Sequence, residues 1–337
     1  MMTYRQIALI LCLVWLPACA DEGKTNSTLN SSDQKQEISV LNFNTFLLNG
    51  TGTNNYTDER IMVLPNQLAA LSADVVILQE VWQQDHRDFL TTEMEKQGYP
   101  YAIFYEGDRD ASANWGSYGN GLLILSKFEP AGAPRFQAWT NWTRILERKS
   151  TKGIMSIDLK LPNGKVFTVA NAHTSTKQFK DGSYKDSHIE KRLVQINQIV
   201  DLLAGVRSQN GGAPIVLGID LNSHPYKWDP QQNEFSSEYS KEYRTLVDAL
   251  NLSDSFHEIN GDNVSYTYDK NSNSWIAKGF FTDEPSAILD YILTSKDQVE
   301  IVDSQMVLTE EHVFSNALGE AKGPLSDHYG ILSTLQL

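Results

Sequence analysis

The sequence predicts an α/β fold whose sheets are mixed, largely antiparallel, and covered by helices in stacked layers. Three observations predict it. Ile157, Leu159 and Leu161 alternate with polar residues, Asn163-Gly164 follows, and Val166 to Val169 resumes the strand pattern. That is a hairpin, expected to close through a type I′ turn. Ile189, Leu193, Ile196, Val200 and Leu203 form one stripe at helical spacing. Val75 to Leu78 is a wholly apolar strand, and Pro214 to Leu217 is another.

The chain opens with a leader. Arg5 precedes Ile7 to Trp15, an apolar run too short to span a bilayer. Leu16-Pro17-Ala18-Cys19 resembles a bacterial lipobox. Residues 1–18 are therefore expected to be removed and Cys19 to carry lipid; an ordinary secretory signal cleaved nearby is the alternative. Ala20 stands where an Asp would resemble an inner-membrane retention signal. The expected address is the bacterial cell envelope, at the outer membrane, or secreted. The other cysteine, Cys12, lies in the leader, so the mature chain has no thiol for a disulfide, a catalytic cysteine or a zinc–thiolate site.

Residues 19–37 are polar and read as a tether reaching roughly 20–25 Å. Residues 38–337 show no repeat or low-complexity break and are expected to form one domain, monomeric in solution. The net charge of −14 opposes loose binding to nucleic acid, weakly, because acidic nucleases exist.

Along that domain, Ile38 to Phe43 is a strand. Ile61, Leu64, Leu68 and Leu71 mark a helix with a kink expected at Pro65. Asp85 is expected to cap a helix carrying Phe89, Leu90 and Met94, stopped by Gly98. Gly121 to Leu125, Ile288 to Leu293 and Gly330 to Leu335 are further strands.

Polar groups cluster where these strands end. Glu80 ends a buried strand, where an unpartnered charge is costly. With Asn44 and water it suits Mg²⁺, which takes few protein ligands and keeps water; alone it reads better as a helix cap or a salt bridge. Asp220 and Asn222 are two apart on a segment expected to be extended, so both would point to one side. His173 ends the Val166 strand and can donate to a phosphate oxygen, although a lone strand-end histidine is more often structural. Asp290 lies on a later strand and Asp327-His328 near the C-terminus. An Asp–His pair makes a general base.

This ordered set resembles the endonuclease/exonuclease/phosphatase superfamily over nearly all of residues 38–337. The resemblance implies a deoxyribonuclease I-like, four-layer sandwich of two sheets with helices outside. It implies metal binding by Glu80 and Asn44, with Asp327 beside them, and phosphate contact by His173. Asp220 and Asn222 would position the water and stabilise the transition state. Asp290 would orient His328, the base for in-line attack of water on a phosphodiester. The implied cofactor is Mg²⁺, with Mn²⁺ as a substitute.

Within the superfamily the details resemble neutral sphingomyelinases. They are Glu80-Val81-Trp82, Gly119-Asn120-Gly121-Leu122, Lys152-Gly153 before a strand, Asp220-Leu221-Asn222-Ser223-His224-Pro225 and Pro324-Leu325-Ser326-Asp327-His328. Lys152, Asn120 and His224 are carried over as substrate-binding residues. One departure is that residues 310–322 offer only Val313, Phe314 and Leu318 where the secreted bacterial enzymes carry an exposed aromatic hairpin.

The function expected is hydrolysis of sphingomyelin to ceramide and phosphocholine at a membrane surface reached by the lipid anchor. Trp115, Tyr118, Tyr226 and Trp228 offer faces for the choline cation, and Trp139 and Trp142 for the bilayer interface. Two other classes stay open: a nuclease or other phosphatase of the same fold, which would bind nucleic acid, and a non-catalytic surface lipoprotein.

Overall fold

The computed structural model describes residues 35–48, 56–105, 119–144, 147, 150–261, 265–277 and 284–337. The leader, Cys19 and residues 19–34 of the expected tether lie outside the described residues, as do Trp115 and Tyr118. Residues 35–37 belong to the fold rather than to a tether. Gln36 and Leu337 exchange backbone hydrogen bonds of 2.8 and 2.9 Å, and the first strand begins at Glu37.

Two sheets lie face to face. The first runs, in spatial order, Glu300–Val307, Gly330–Gln336, Glu37–Leu47, Val75–Val81, Leu123–Ser126 and Tyr101–Ile103. The second runs Leu252–Asp254, Asp290–Ser295, Ile215–Asp220, Val166–His173, Gly153–Lys160 and Glu129–Pro130, with Arg135–Ala138 also paired to Gly153–Lys160. Each sheet has one parallel pair at its centre: Glu37–Leu47 with Val75–Val81, and Val166–His173 with Ile215–Asp220. Their other pairings are antiparallel.

Parallel neighbours need a crossover. Helix α1 (Thr57–Ala70) supplies the first; α2 (Gln84–Lys96) follows it; α3 (Asp186–Gln209) supplies the second, and α4 (Lys241–Leu250) packs beside α3. Alternation along the strands sorts the apolar side chains into layers. Ile38, Val40, Val75 and Ile77 meet Ile157, Val169, Val216 and Ile292 between the sheets. Val76 and Leu78 face outward onto Leu64 and Leu68 of α1 and Leu90 and Met94 of α2. Ala170, Leu217 and Leu293 face outward onto Ile196, Ile199 and Leu203 of α3 and Leu246 of α4. Helix, sheet, sheet, helix is the four-layer sandwich that the resemblance implied.

Some local expectations are corrected. The hairpin after Leu161 is not a type I′ turn, which needs positive φ at both central residues. Only Gly164 has it, at 86°, while Leu161 O accepts from Gly164 N at 2.9 Å and Leu161 N donates to Lys165 O at 2.8 Å. Pro162, with its φ locked negative, selects a three-residue loop ending in a left-handed glycine. Asp85 is not the cap of α2. Gln83 is, and Asp85 lies in the first turn, where a carboxylate is favoured by the helix dipole. Helix α1 continues through Pro65. Trp139 is buried, its Nε1 donating to His173 O at 2.9 Å, so it is a core residue and not an interface anchor. Residues 312–323 do form a hairpin; it turns Phe314 inward and exposes Val313 and Leu318.

A row of buried amides crosses the core between the sheets. Gln79 Nε2 donates to Asn42 Oδ1 and to Asn171 Oδ1, both at 2.8 Å. Asn171 Nδ2 donates to Leu78 O at 2.8 Å, and Asn42 Nδ2 to Ile219 O at 3.3 Å. Gly218 permits this approach, since a Cβ there would meet Asn42 Oδ1 at 2.7 Å. Breaking one such buried bond strands a polar group at a cost of about 1–3 kcal/mol. The row fixes how the sheets sit on each other one or two residues before Asn44, Glu80, His173 and Asp220.

Candidate active site

Both parallel pairs end at the same edge of the sandwich, and the carboxyl ends of such strands are where α/β sheets build sites. The first sheet delivers Asn44 and Glu80, the second His173 and Asp220. They meet across the gap. Asn44 Nδ2 donates to Asp220 Oδ2 at 2.9 Å and lies 3.3 Å from Glu80 Oε1. His173 Nε2 is 3.2 Å from Asp220 Oδ2 and 3.9 Å from Glu80 Oε1.

Glu80 takes a left-handed backbone, φ 62°, which is uncommon for a side chain of its size. It turns the carboxylate out of strand alternation, where Trp82 Nε1 donates to Oε2 at 3.3 Å. Asn222 is also left-handed, φ 51°. The expected extended Asp-Leu-Asn segment is therefore corrected. The strand stops at Asp220, whose Oδ1 accepts from Asn222 N at 2.9 Å, a local turn that Asx side chains favour. Asn222 Nδ2 points back to Thr174 O at 3.3 Å.

Lys152 backs the second half. Its buried Nζ is 2.9 Å from His173 Nε2 and 3.4 Å from Glu147 Oε1. Burial would raise the Glu147 carboxyl, but Lys152 and the bonds from Thr176 N and Thr143 outweigh it and hold it at about 2. Burial, with Lys152 and His328 nearby, keeps His173 well below the usual histidine value and hence neutral. Its Nδ1 has no partner among the described residues.

His328 forms the third part. Its Nδ1 is 2.8 Å from Asp290 Oδ2, and both side chains are buried. Burial would lower this imidazole; Asp290 beside it, then Asp327 and Asp220, reverse that and lift it to about 10. Asp220 is pushed up to about 7 by burial and by Asp290. Asp327 is pushed up to about 6 by burial, with Glu80 adding to the rise. The site thus holds more negative charge than its own cations neutralise, as a place for a divalent cation does. Its donors are hard oxygens and imidazole. Asp220, Asp290 and His328 bring their ligand atoms within 4.8 Å of one another. This group differs from the Glu80, Asn44 and Asp327 set carried over from the resemblance.

Two carried-over residues stand apart. Asn120 is spent on its own loop, Oδ1 accepting from Leu122 N at 2.8 Å and Nδ2 donating to Tyr105 O at 3.3 Å. That loop clamps the Glu80 segment, because Gly119 N donates to Trp82 O and Val81 N to Gly121 O. His224 accepts from Ile288 N at 3.0 Å and lies against Phe235, ring centroids 3.7 Å apart, in an aromatic cavity of about 790 Å³.

Sequence reasoning missed Glu147 and Arg60. Glu147 carries no local signal in the sequence. Arg60 is fully buried and donates to Thr45 O, Phe46 O and Leu325 O, tying the end of the first strand, just after Asn44, to the segment before Asp327-His328. Its signal was legible: Arg60 shares the i, i+4 row of Leu64 and Leu68, a charge on a core-facing stripe.

Comparison with known proteins agrees with this geometry. The model of the Endonuclease/Exonuclease/phosphatase family matches residues 63–328. A sphingomyelinase C of Bacillus cereus is 27% identical over 286 residues, 79% of this chain and 78% of that protein. An inositol phosphosphingolipids phospholipase C of Schizosaccharomyces pombe is 24% identical over 332 residues, 91% of this chain and 70% of that protein. Among solved structures, a Staphylococcus aureus beta toxin variant with bound magnesium ions superposes with a TM-score of 0.67 at 21% identity, over 88% of this chain and 99% of that one; it shares the fold. Fold and site define a phosphodiester hydrolase. The chain belongs to the Endonuclease/Exonuclease/phosphatase family.

Proposed function

We propose that this protein is a Mg²⁺-dependent phospholipase C of the sphingomyelinase type, hydrolysing sphingomyelin to ceramide and phosphocholine. The observation that carries the reading is the joining of two half-sites, Asn44 and Glu80 with His173 and Asp220, beside a buried His328–Asp290 pair. The similarity to a sphingomyelinase C over 79% of the chain supports the substrate.

Glu80 and Asn44, with Asp327 and Asp220 around them, would hold the cation. When bound, it supplies positive charge at the phosphoryl oxygens and relieves the repulsion among these carboxylates. The chain's own residues do the rest. Asp290 accepts from His328 Nδ1; Nε2 is free to take a proton from the attacking water once a cation offsets the Asp327 and Asp220 charges that help hold this imidazole protonated. Asp220 and Asn222 hold that water and one phosphoryl oxygen. Lys152, close to His173 Nε2, adds fixed positive charge on the same side. We extend the proposal to the N-terminus: Cys19 carries lipid and anchors the enzyme to the bacterial envelope. Cys19→Ala should abolish acyl labelling.

The test is a substrate panel. Purified full-length protein with Mg²⁺ should release phosphocholine from sphingomyelin vesicles and nick supercoiled plasmid slowly or not at all. Efficient plasmid cleavage without phosphocholine release would replace this reading with a nuclease.

A further inference from the structure

Four residues beyond His173 the chain buries another cation that the reaction above does not use. Lys177 is 5% exposed. Burial lowers its ammonium to about 8, although Glu284, Asp220 and Asp290 pull it upward. The other buried cations near the site are matched. Arg192 meets Glu242 at 2.8 Å, Lys152 meets Glu147 at 3.4 Å, and Arg60 is taken up by three carbonyls. Lys177 has no carboxylate within ion-pair distance among the described residues. One of its three donors reaches Tyr184 Oη at 3.2 Å. A buried ammonium with donors unspent is costly unless a ligand completes it.

Its surroundings say where that ligand sits. Lys177, Asn222 and Trp228 line one cavity of about 560 Å³. Beside Nζ the surroundings are aromatic: Nζ lies 5.0 Å from the Tyr184 ring centroid and 5.9 Å from that of Tyr268, and Trp228 meets Tyr184 edge-on at 6.2 Å. The cavity's carboxylates are Asp186, Glu190 and Glu238, all exposed, and Glu242, which is paired with Arg192. Such aromatic rings would suit a quaternary ammonium. Here the chain has placed its own ammonium among them. A choline group brought beside Lys177 would face like charge at a buried ammonium, where repulsion is poorly screened. A headgroup carrying hydroxyls would instead offer acceptors to the open donors of Lys177.

We propose that Lys177 is a headgroup-reading residue that favours phosphodiesters with a polyol headgroup, such as inositol, over those with choline. The inference rests on the lipid phosphodiesterase reading and narrows its substrate class; choline lipids remain substrates, turned over less well. A site built to hydrogen-bond a hydroxyl rejects a ligand lacking it strongly, because its own polar groups are then left unpaired.

The test has two arms. In the first, calorimetry measures binding of myo-inositol 1-phosphate and of phosphocholine to the full-length protein in Mg²⁺ buffer. The inositol phosphate should bind about tenfold or more tightly, and Lys177→Met should reduce the difference to within about threefold. In the second, vesicle assays compare inositol phosphoceramide with sphingomyelin; the ratio of kcat/KM should favour the inositol lipid and fall about tenfold in the variant. A purely structural lysine would depress both lipids together and leave that ratio unchanged, which would overturn the proposal. So would phosphocholine binding as tightly as inositol phosphate to the wild type, a comparison that needs no variant to fold. Discrimination in the binding arm with neither lipid cleaved would sink the hydrolase reading and uphold the Lys177 site. Cleavage of both lipids without discrimination would do the reverse.

Discussion

Glu80, delivered by the first sheet, keeps 16% of its side chain exposed, whereas His173 and Asp220, delivered by the second sheet from the same kind of strand pair, keep 1% each. The halves also differ behind the strands. Among the described residues, the Glu80 side chain accepts hydrogen bonds only from the neutral groups of Asn44 and Trp82, each at 3.3 Å. His173 is backed by a buried Lys152–Glu147 pair. One half is therefore open enough to exchange water and ions, and the other is a fixed electrostatic frame. Substitutions in the open half should alter the cation requirement; substitutions in the closed half, or in the Asp290–His328 pair beside it, should alter turnover and stability.

The sharpest break of that division is His328→Ala. It should lower kcat by about 10²–10⁴ with the fold kept, read by steady-state kinetics and circular dichroism. Near-normal kcat would remove His328 from the chemistry.

Glu147→Gln comes next and should act through the frame. It leaves Lys152 buried without its carboxylate, which typically costs about 3–5 kcal/mol. The wild-type acid limb should show the same pair. Glu147 sits at about 2 in the folded protein against 4.5 ordinarily, so its contribution is present above about pH 4.5 and lost as pH falls through about 2. Its size is roughly 3 kcal/mol. Denaturant unfolding from pH 2 to 7 measures both, and a flat acid limb in the wild type would contradict the assignment.

Glu80→Gln, in the open half, should leave stability nearly unchanged and raise the half-saturating Mg²⁺ concentration about 10–100-fold. A fall in kcat with no change in cation dependence would erase the distinction between the halves.

A smaller effect concerns pH. Asp220 and Asp327 titrate above ordinary aspartate, so folding favours their protonated forms. In the chelated protein their contribution to stability is fullest at low pH and falls as pH rises through about 6–7. Mg²⁺ should therefore raise Tm more at pH 8, where 100 times its Kd adds about 2.7 kcal/mol of stability, than the same concentration does at pH 5. An equal shift at both pH values would count against these oxygens as the cation site.

Much of this was legible in the sequence because the functional residues end strands whose apolar runs are unmistakable. Val75 to Leu78 announced Glu80, and the Asn163-Gly164 hairpin announced His173. Strand-end placement fixed which residues share an edge, and the family resemblance supplied their order. What stayed hidden needed three dimensions. The amides of Asn42, Gln79 and Asn171 join the two sheets, a contact between residues 92 apart in the case of Gln79 and Asn171. Glu147 pairs with Lys152 in a stretch whose sequence shows no periodicity. Nothing in the sequence sets Lys177 apart; only the folded chain brings Tyr184 and Tyr268 around it. The turn after Leu161 was misread because Asn-Gly outweighed the preceding Pro162, whose fixed φ decides the loop.

The most direct measurement is phosphocholine release from sphingomyelin vesicles by full-length protein treated with EDTA and then titrated with Mg²⁺ or Mn²⁺. Activity should vanish on chelation and return with either cation, and thiol reagents should leave it intact. Full turnover in EDTA would contradict the cation-dependent mechanism built on Asn44, Glu80 and Asp220.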